Sequence, residues 1–210
     1  MKLVKRGKFI VIEGCEGAGK STQILELKKK YGEAVITTRE PGGSPFAEVI
    51  RSVILSSSAK EADAKTQFGL FWAARADHMR NTVIPALLNG KHVICDRFDS
   101  SSYIYQIYGQ EDPSLKDLFF KVRDVYLGEY VPDVYIFLDV DPKEGLSRKN
   151  KQKGVVLNHF DQRDLSFHKR VRDGLLEFFD IVPFERIDAN KGFKKVSNEL
   201  VKVIDSVIKK

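Results

Sequence analysis

Apolar residues fall along this chain in short unbroken runs, separated by longer stretches in which they recur every three or four positions. The runs at 9–12, 35–37, 92–95, 134–140 and 184–187 have the length and continuity of strands covered on both faces. The spacing between them leaves room for helical crossovers. The pattern therefore predicts an α/β fold, a parallel five-stranded sheet flanked by helices, with ligands gathering beyond the carboxyl ends of the strands. One crossover, 63–88, carries Phe68, Phe71, Arg75, Met79 and Val83 at helical steps, and Pro85 is expected to kink or shorten its end. Between 160 and 179, Phe160, Phe167, Val171, Leu175 and Phe178 form a second stripe, and 194–207 closes the chain as a helix. No internal repeat or linker interrupts this order, so 1–210 reads as a single domain.

Composition narrows the classes. Lys and Arg number 35 against 29 for Asp and Glu, a net +6, which suits an anionic partner, but no basic tail or aromatic-basic platform points to nucleic acid. The stretch before Gly14 is too short for a signal-peptide core, and no apolar run approaches the ~18 residues of a membrane span. Cys15 and Cys95 cannot build a disulfide framework, and a reducing, cytoplasmic setting fits them.

The chemistry begins at Gly14-Cys15-Glu16-Gly17-Ala18-Gly19-Lys20-Ser21. A strand precedes this run and helix-forming residues follow it, the setting of a phosphate-binding loop. Glycines let the backbone turn tightly, so that successive N–H groups and the next helix's N-terminus, with Thr22, face the phosphates of ATP. Lys20 is expected to reach the β and γ phosphates and Ser21 to ligate Mg²⁺. Asp96-Arg97 follows the third strand. Asp96 suits either the metal shell or acceptor alignment, and Arg97 a bidentate phosphate clamp, against the plainer reading of a strand-end ion pair. Arg39-Glu40-Pro41-Gly42-Gly43 brings a second arginine to the same edge on a rigid turn. Two arginines beyond the loop imply a second anionic substrate group. Phe71 and Arg75 share a helix face, as a base-stacking ring beside a polar reader would, although a core phenylalanine with a surface arginine has the same spacing.

Taken together, Thr38-Arg39-Glu40-Pro41-Gly42-Gly43, Phe71-Trp72-Ala73-Ala74-Arg75 and the run from Asp96-Arg97-Phe98-Asp99 to Tyr105-Gln106, with the phosphate loop, resemble the signatures of the thymidylate kinase family over essentially the whole chain. The resemblance implies a nucleoside-monophosphate kinase fold with a mobile lid, a homodimer, and direct transfer of the γ-phosphoryl of Mg²⁺-bound ATP to dTMP. The alternatives it leaves are a kinase for another nucleoside monophosphate or deoxynucleoside and, further off, a regulatory P-loop NTPase. By resemblance, Phe71 stacks on thymine, Arg75 reads its edge, and Arg39 and Arg97 hold the acceptor phosphate. Tyr105 disfavours a 2′-hydroxyl, Gln106 and Ser101 line the pocket, and Glu16 lies near the acceptor sugar. The loop's Glu16-Gly17-Ala18 lacks the arginine of one subtype and so implies a cation delivered by a lid, placed at 148–159, with Arg148 as first choice and Lys149, Lys151 and Lys153 as rivals. Four positions depart from the family pattern: Asn158-His159 for a common Asp-Arg, Phe98 for tyrosine and Ser44 for threonine.

Overall fold

Strands with unbroken apolar runs have to be covered on both faces, and parallel pairing with helical crossovers achieves this. The computed structural model describes residues 5–151 and 158–209. Its strands are β1 (Phe9–Glu13), β2 (Val35–Arg39), β3 (His92–Asp96), β4 (Val134–Asp139) and β5 (Phe184–Asp188). They form a five-stranded parallel sheet in the order β2-β3-β1-β4-β5. β1 and β4 are buried along their whole length, whereas edge strand β5 buries only Ile187. Because all strands run one way, their carboxyl ends share an edge that carries Glu13, Arg39, Asp96 and Asp139.

The helices are α1 (Lys20–Tyr31), α2 (Pro45–Ile54), α3 (Ala64–His78), α4 (Ile84–Leu88), α5 (Asp99–Ser102), α6 (Leu115–Leu127), α7 (Pro142–Asn150), α8 (Leu165–Phe179) and α9 (Phe193–Ile208). Each expected strand is present within two residues of its expected ends. The expected 63–88 helix is interrupted, however. A π-helical turn, Met79–Val83, separates α3 from α4, with Ile84 N–H bonding Met79 O. Pro85 lies just inside α4, where its missing N–H is least costly, so the departure from α-geometry precedes the proline. A second π-turn, Tyr103–Gly109, carries Tyr105 and Gln106. The 160–179 stripe is also shorter than its spacing suggests. Asp164 caps α8 by accepting from Phe167 N–H at 2.8 Å, which leaves Phe160 outside the helix.

Two contacts deliver the segment after β4 to the edge. Asp141 caps α7 by accepting from Lys143 and Glu144 N–H, with Pro142 at its first position. α7 then meets the loop after β1 backbone to backbone. A Cβ on Gly17, whose φ is +71°, would lie 1.9 Å from Gly145 O, and one on Gly145 would lie 2.2 Å from Glu16 O. Only glycine at both positions permits this approach.

Candidate active site

The loop from Gly14 to Thr22 wraps Lys20 inward. Lys20 is buried, and its ammonium donates to Gly14 O at 2.8 Å and Cys15 O at 3.1 Å. Burial, and then the nearby Arg97, lower its pKa from the ordinary lysine value. Ser21 Oγ donates to Asp96 Oδ2 at 2.8 Å. This hydroxyl and carboxylate share one polar cavity with Gly17, Gly19, Lys20 and Thr22. Among the described residues no cluster of three His, Cys, Asp or Glu side chains could hold a metal. A hydroxyl and a single carboxylate nevertheless fit a magnesium ion that takes its remaining oxygens from phosphates and water. Cys15 and Ala18 pack beneath the loop. Burial pushes the Cys15 thiol up to about 12, so at neutral pH it is a neutral packing group.

Across the cavity, β3 ends in a turn fixed by Glu13. This fully buried carboxylate accepts from Gly14 N–H (3.2 Å), Phe98 N–H (3.3 Å), Ser100 Oγ (2.7 Å) and Ser101 Oγ (2.9 Å). The turn places Arg97 in the left-handed region at φ +67°, a strained position for a side-chain-bearing residue. Its guanidinium pairs with Glu16 and lies 3.6 Å from Glu13 and 5.4 Å from the Tyr105 ring centroid. Its Nη1 makes no hydrogen bond among the described residues. Glu16 also accepts from Tyr105 Oη at 3.1 Å and Lys149 Nζ at 3.3 Å. Burial alone would favour its neutral form, but Arg97, Lys20 and Lys149 outweigh that and hold its pKa well below the carboxylate range. Glu16 is therefore an anion that organises three surrounding groups.

A second cavity adjoins the first. Phe71, Arg75, Phe98, Ser101, Tyr105 and Phe160 contribute to its wall. Phe160 stands edge-on to Phe71 (6.1 Å between centroids) and Tyr105 (5.4 Å), a frame suited to a flat ring. Arg39 lies at the mouth of the first cavity, where it bonds Glu48 Oε2 at 3.1 Å with its side chain half exposed. Gln106 is fully buried behind the wall, and neither of its amide atoms is hydrogen-bonded among the described residues. The structure thus brings together Glu16, Lys20, Ser21, Arg39, Phe71, Arg75, Asp96, Arg97, Ser101 and Tyr105, but not Gln106.

Arg148 also lies elsewhere. Its Nε donates to Glu144 at 2.8 Å and its Nη1 to Ala189 O at 2.8 Å, toward the loop after β5. Its neighbour Lys149 faces the cavity, 3.3 Å from Glu16 and 3.5 Å from Asp161. Lys153, like the rest of 152–157 within the expected lid, lies outside the described residues. At 158–161 the departures from the family pattern become concrete. Asn158 lines both cavities, and Asn158 Oδ1 accepts from Phe160 and Asp161 N–H. The His159 ring bonds Ile54 O through Nε2 at 3.0 Å, at the end of α2. Sequence reasoning missed Arg51, which lines both cavities and donates to Pro41 O at 2.5 Å. A cation beside the apolar Ala47, Ile50 and Ile54 stripe of α2 was the available signal. It also treated Phe160 as a helix residue and gave Asn158 and Asp161 no role in the cavities.

Comparison with known proteins bears on the same arrangement. A family model described as thymidylate kinase matches residues 12–200. A thymidylate kinase of Aster yellows witches'-broom phytoplasma (strain AYWB) is 41% identical over 197 residues, covering 90% of this chain and 93% of that relative. One from Bradyrhizobium sp. (strain ORS 278) is 41% identical over 199 residues, 92% of this chain and 87% of the relative. Among solved structures, thymidylate kinase from Ehrlichia chaffeensis superposes with a TM-score of 0.73 at 30% identity, covering 95% of this chain and 99% of that one.

Proposed function

Because the chain belongs to the thymidylate kinase family and transfers the γ-phosphoryl group of ATP to dTMP, giving ADP and dTDP, we propose a division of labour within its paired cavities. The loop from Gly14 to Thr22 holds the donor phosphates, and the aromatic cavity holds the acceptor base between Phe71 and the edges of Tyr105 and Phe160. Arg75 reads a ring carbonyl, and Ser101 contributes a polar lining. Arg97, together with Arg39 and Arg51, aligns the acceptor phosphate. The acceptor oxygen attacks the γ-phosphorus directly, with no covalent enzyme intermediate, so catalysis consists of positioning and charge stabilisation. A magnesium ion held by Ser21 and Asp96 with the donor's oxygens would supply charge neutralisation at the migrating group.

Glu16 places an ionised carboxylate between Arg97 and Tyr105, on the acceptor's sugar side, and packs Tyr105 where a 2′-hydroxyl would lie. The segment 148–159 serves as the lid of a single catalytic unit. Lys149 is the cation best placed to reach the transferring phosphoryl, because Arg148 is engaged with Ala189 and Glu144. Self-association through the exposed apolar face of α2, Phe46, Val49 and Val53, accounts for surface that a monomer leaves in water. The free, buried thiols support a cytoplasmic setting, which cell fractionation would test. Among the described residues, no helix is long and apolar enough to cross a membrane.

The observation that carries this reading is the convergence of Arg39, Arg51 and Arg97 on the same cavity as Lys20, Ser21 and Asp96. The test is dTMP-dependent ADP release with dTDP identified as product, in wild type and in Lys20→Ala. We expect near-complete loss of turnover in the variant with its thermal midpoint retained. Undiminished turnover in Lys20→Ala would refute the site.

A further inference from the structure

Behind the acceptor cavity, Arg75 ends a chain of polar side chains whose other members, Glu40, His78 and Thr38, the reaction as described does not use. The carboxylate of Glu40, at the end of β2, has a side chain only 3% exposed and is shared by two partners. Oε2 accepts from Arg75 Nε at 2.8 Å, and Oε1 bonds His78 Nδ1 at 2.9 Å. An ionised carboxylate only accepts, so Nδ1 carries a proton. The ring's other nitrogen, Nε2, is hydrogen-bonded to the Thr38 hydroxyl at 2.8 Å. The far end is equally committed. Arg75 Nη1 donates to Ser102 Oγ at 3.1 Å and Nη2 to Phe98 O at 2.9 Å, and the guanidinium lies 4.4 Å from the Trp72 ring centroid. Arg75 is thereby held in one orientation within the cavity wall.

The same chain is tied to the phosphate end of the site. Glu40 directly follows Arg39, and its N–H donates to the carbonyl of Asp96 at 2.9 Å, one residue before Arg97. The turn after Glu40 closes over the relay. A Cβ on Gly43, whose φ is +86°, would lie 2.5 Å from both His78 Nε2 and Thr38 Oγ1. Glycine at 43 is therefore required twice, by its dihedral and by the contact. This gives the Arg39-Glu40-Pro41-Gly42-Gly43 run a physical basis beyond holding an arginine at the strand edge.

We propose that Glu40 and His78 are positioning residues for the acceptor: they lock Arg75 and join it rigidly to the turn bearing Arg39, so that base recognition and phosphate alignment are set together. The proposal rests on the assignment of Arg75 to the base and Arg39 to the phosphate. It has a consequence for specificity. Arginine offers donors only, so a locked Arg75 favours a ring carbonyl and opposes an exocyclic amino group at the same place. Loosening the relay should therefore narrow the preference for dTMP over dCMP.

The full chain is compared as wild type, His78→Gln, Thr38→Val, Thr38→Ser, Gly43→Ala and Arg75→Lys, measuring kcat, KM for dTMP, dCMP and ATP, and the thermal midpoint. Glu40→Gln is the most direct variant, but it leaves a buried guanidinium without its counter-charge and can fail to fold. The Thr38 pair perturbs only the end of the chain and keeps the test answerable. For His78→Gln and Gly43→Ala we expect dTMP KM to rise about tenfold and the dTMP/dCMP ratio of kcat/KM to fall by a similar factor, with ATP KM and kcat within about threefold. Thr38→Val should move the same way by about threefold, and Thr38→Ser should restore wild-type values. A lowered thermal midpoint with dTMP KM and the ratio unchanged would overturn the proposal, leaving these residues purely structural. Wild-type dTMP KM in Arg75→Lys would instead refute the base assignment. If Arg75→Lys raises KM and the relay variants do not, only the relay is wrong.

Discussion

Replacing Lys149 by alanine is expected to lower kcat by about a hundredfold to a thousandfold, with the Kd for ATP changing no more than about threefold, whereas Arg148→Ala leaves kcat within about threefold. The Lys149 ammonium lies 3.3 Å from Glu16 and 3.5 Å from Asp161, with its side chain 21% exposed. It is thus neutralised by two carboxylates and has little to contribute to binding. As charge grows on the migrating phosphoryl, a cation within about 4 Å interacts by about 4 kcal/mol at the effective dielectric of a half-buried site. Loss of one such transition-state partner costs about 3–4 kcal/mol in comparable sites, the scale of the expected fall. Removing Lys149 leaves Arg97 and Lys20 to keep Glu16 ionised, so a rate loss would not arise from a protonated Glu16. Arg148 offers a contrast on the next residue. Its exposed pair with Glu144 is worth well under about 1 kcal/mol, and its bond to Ala189 O serves the loop after β5.

Steady-state ADP release at saturating dTMP gives kcat, calorimetric titration gives the ATP affinity, and a rapid-quench burst separates chemistry from product release. Lys149→Arg should recover part of the rate, because it keeps the charge with a different donor geometry. Wild-type kcat in Lys149→Ala would refute the reasoning, and a larger loss in Arg148→Ala would return the role to that residue.

For the sugar, Tyr105→Ala should lower the kcat/KM ratio of 2′-deoxy over 2′-hydroxy acceptors by about tenfold; an unchanged ratio would remove Tyr105 from that role. Glu177 bears on acid stability. Hydrogen bonds from Lys116, then Tyr108 and Tyr103, lower its pKa from 4.5 to about 2. Its stabilising contribution is therefore present above about pH 4.5 and is lost as pH falls toward 2, so Glu177→Gln should flatten that limb of urea unfolding, and an unaltered limb would count against the pairing. On α2, Phe46, Val49 and Val53 are exposed on one face while Ala47, Ile50 and Ile54 are buried. The self-association proposed for this face predicts that wild type sediments as a dimer and Val49→Asp as a monomer of unchanged helicity, and a Val49→Asp dimer would exclude this face.

The parts of the molecule legible from sequence are those set by local chemistry. Strands buried on both faces leave unbroken apolar runs, so β1, β3 and β4 could be placed almost to the residue, and the phosphate loop is a contiguous arrangement of glycines ahead of Lys20. Phe71 and Arg75 could be paired because four residues within one regular helix return to the same face. Long-range contacts leave no such trace. Phe160 keeps helical spacing with Phe167, yet the Asp164 cap starts the helix after it and frees its ring for the acceptor cavity. Arg51 is one charge beside an apolar stripe until the turn after β2 folds against it. The clearest case is the lid cation. Adjacent residues on a helix point about 100° apart, so a run of basic residues in α7 shows that a cation is available without showing which one reaches the phosphates. That choice belongs to the close approach of Gly17 and Gly145, 128 residues apart in sequence, which sets the rotation of α7 against the phosphate loop. Lys149 then faces inward, and Arg148 faces the loop after β5.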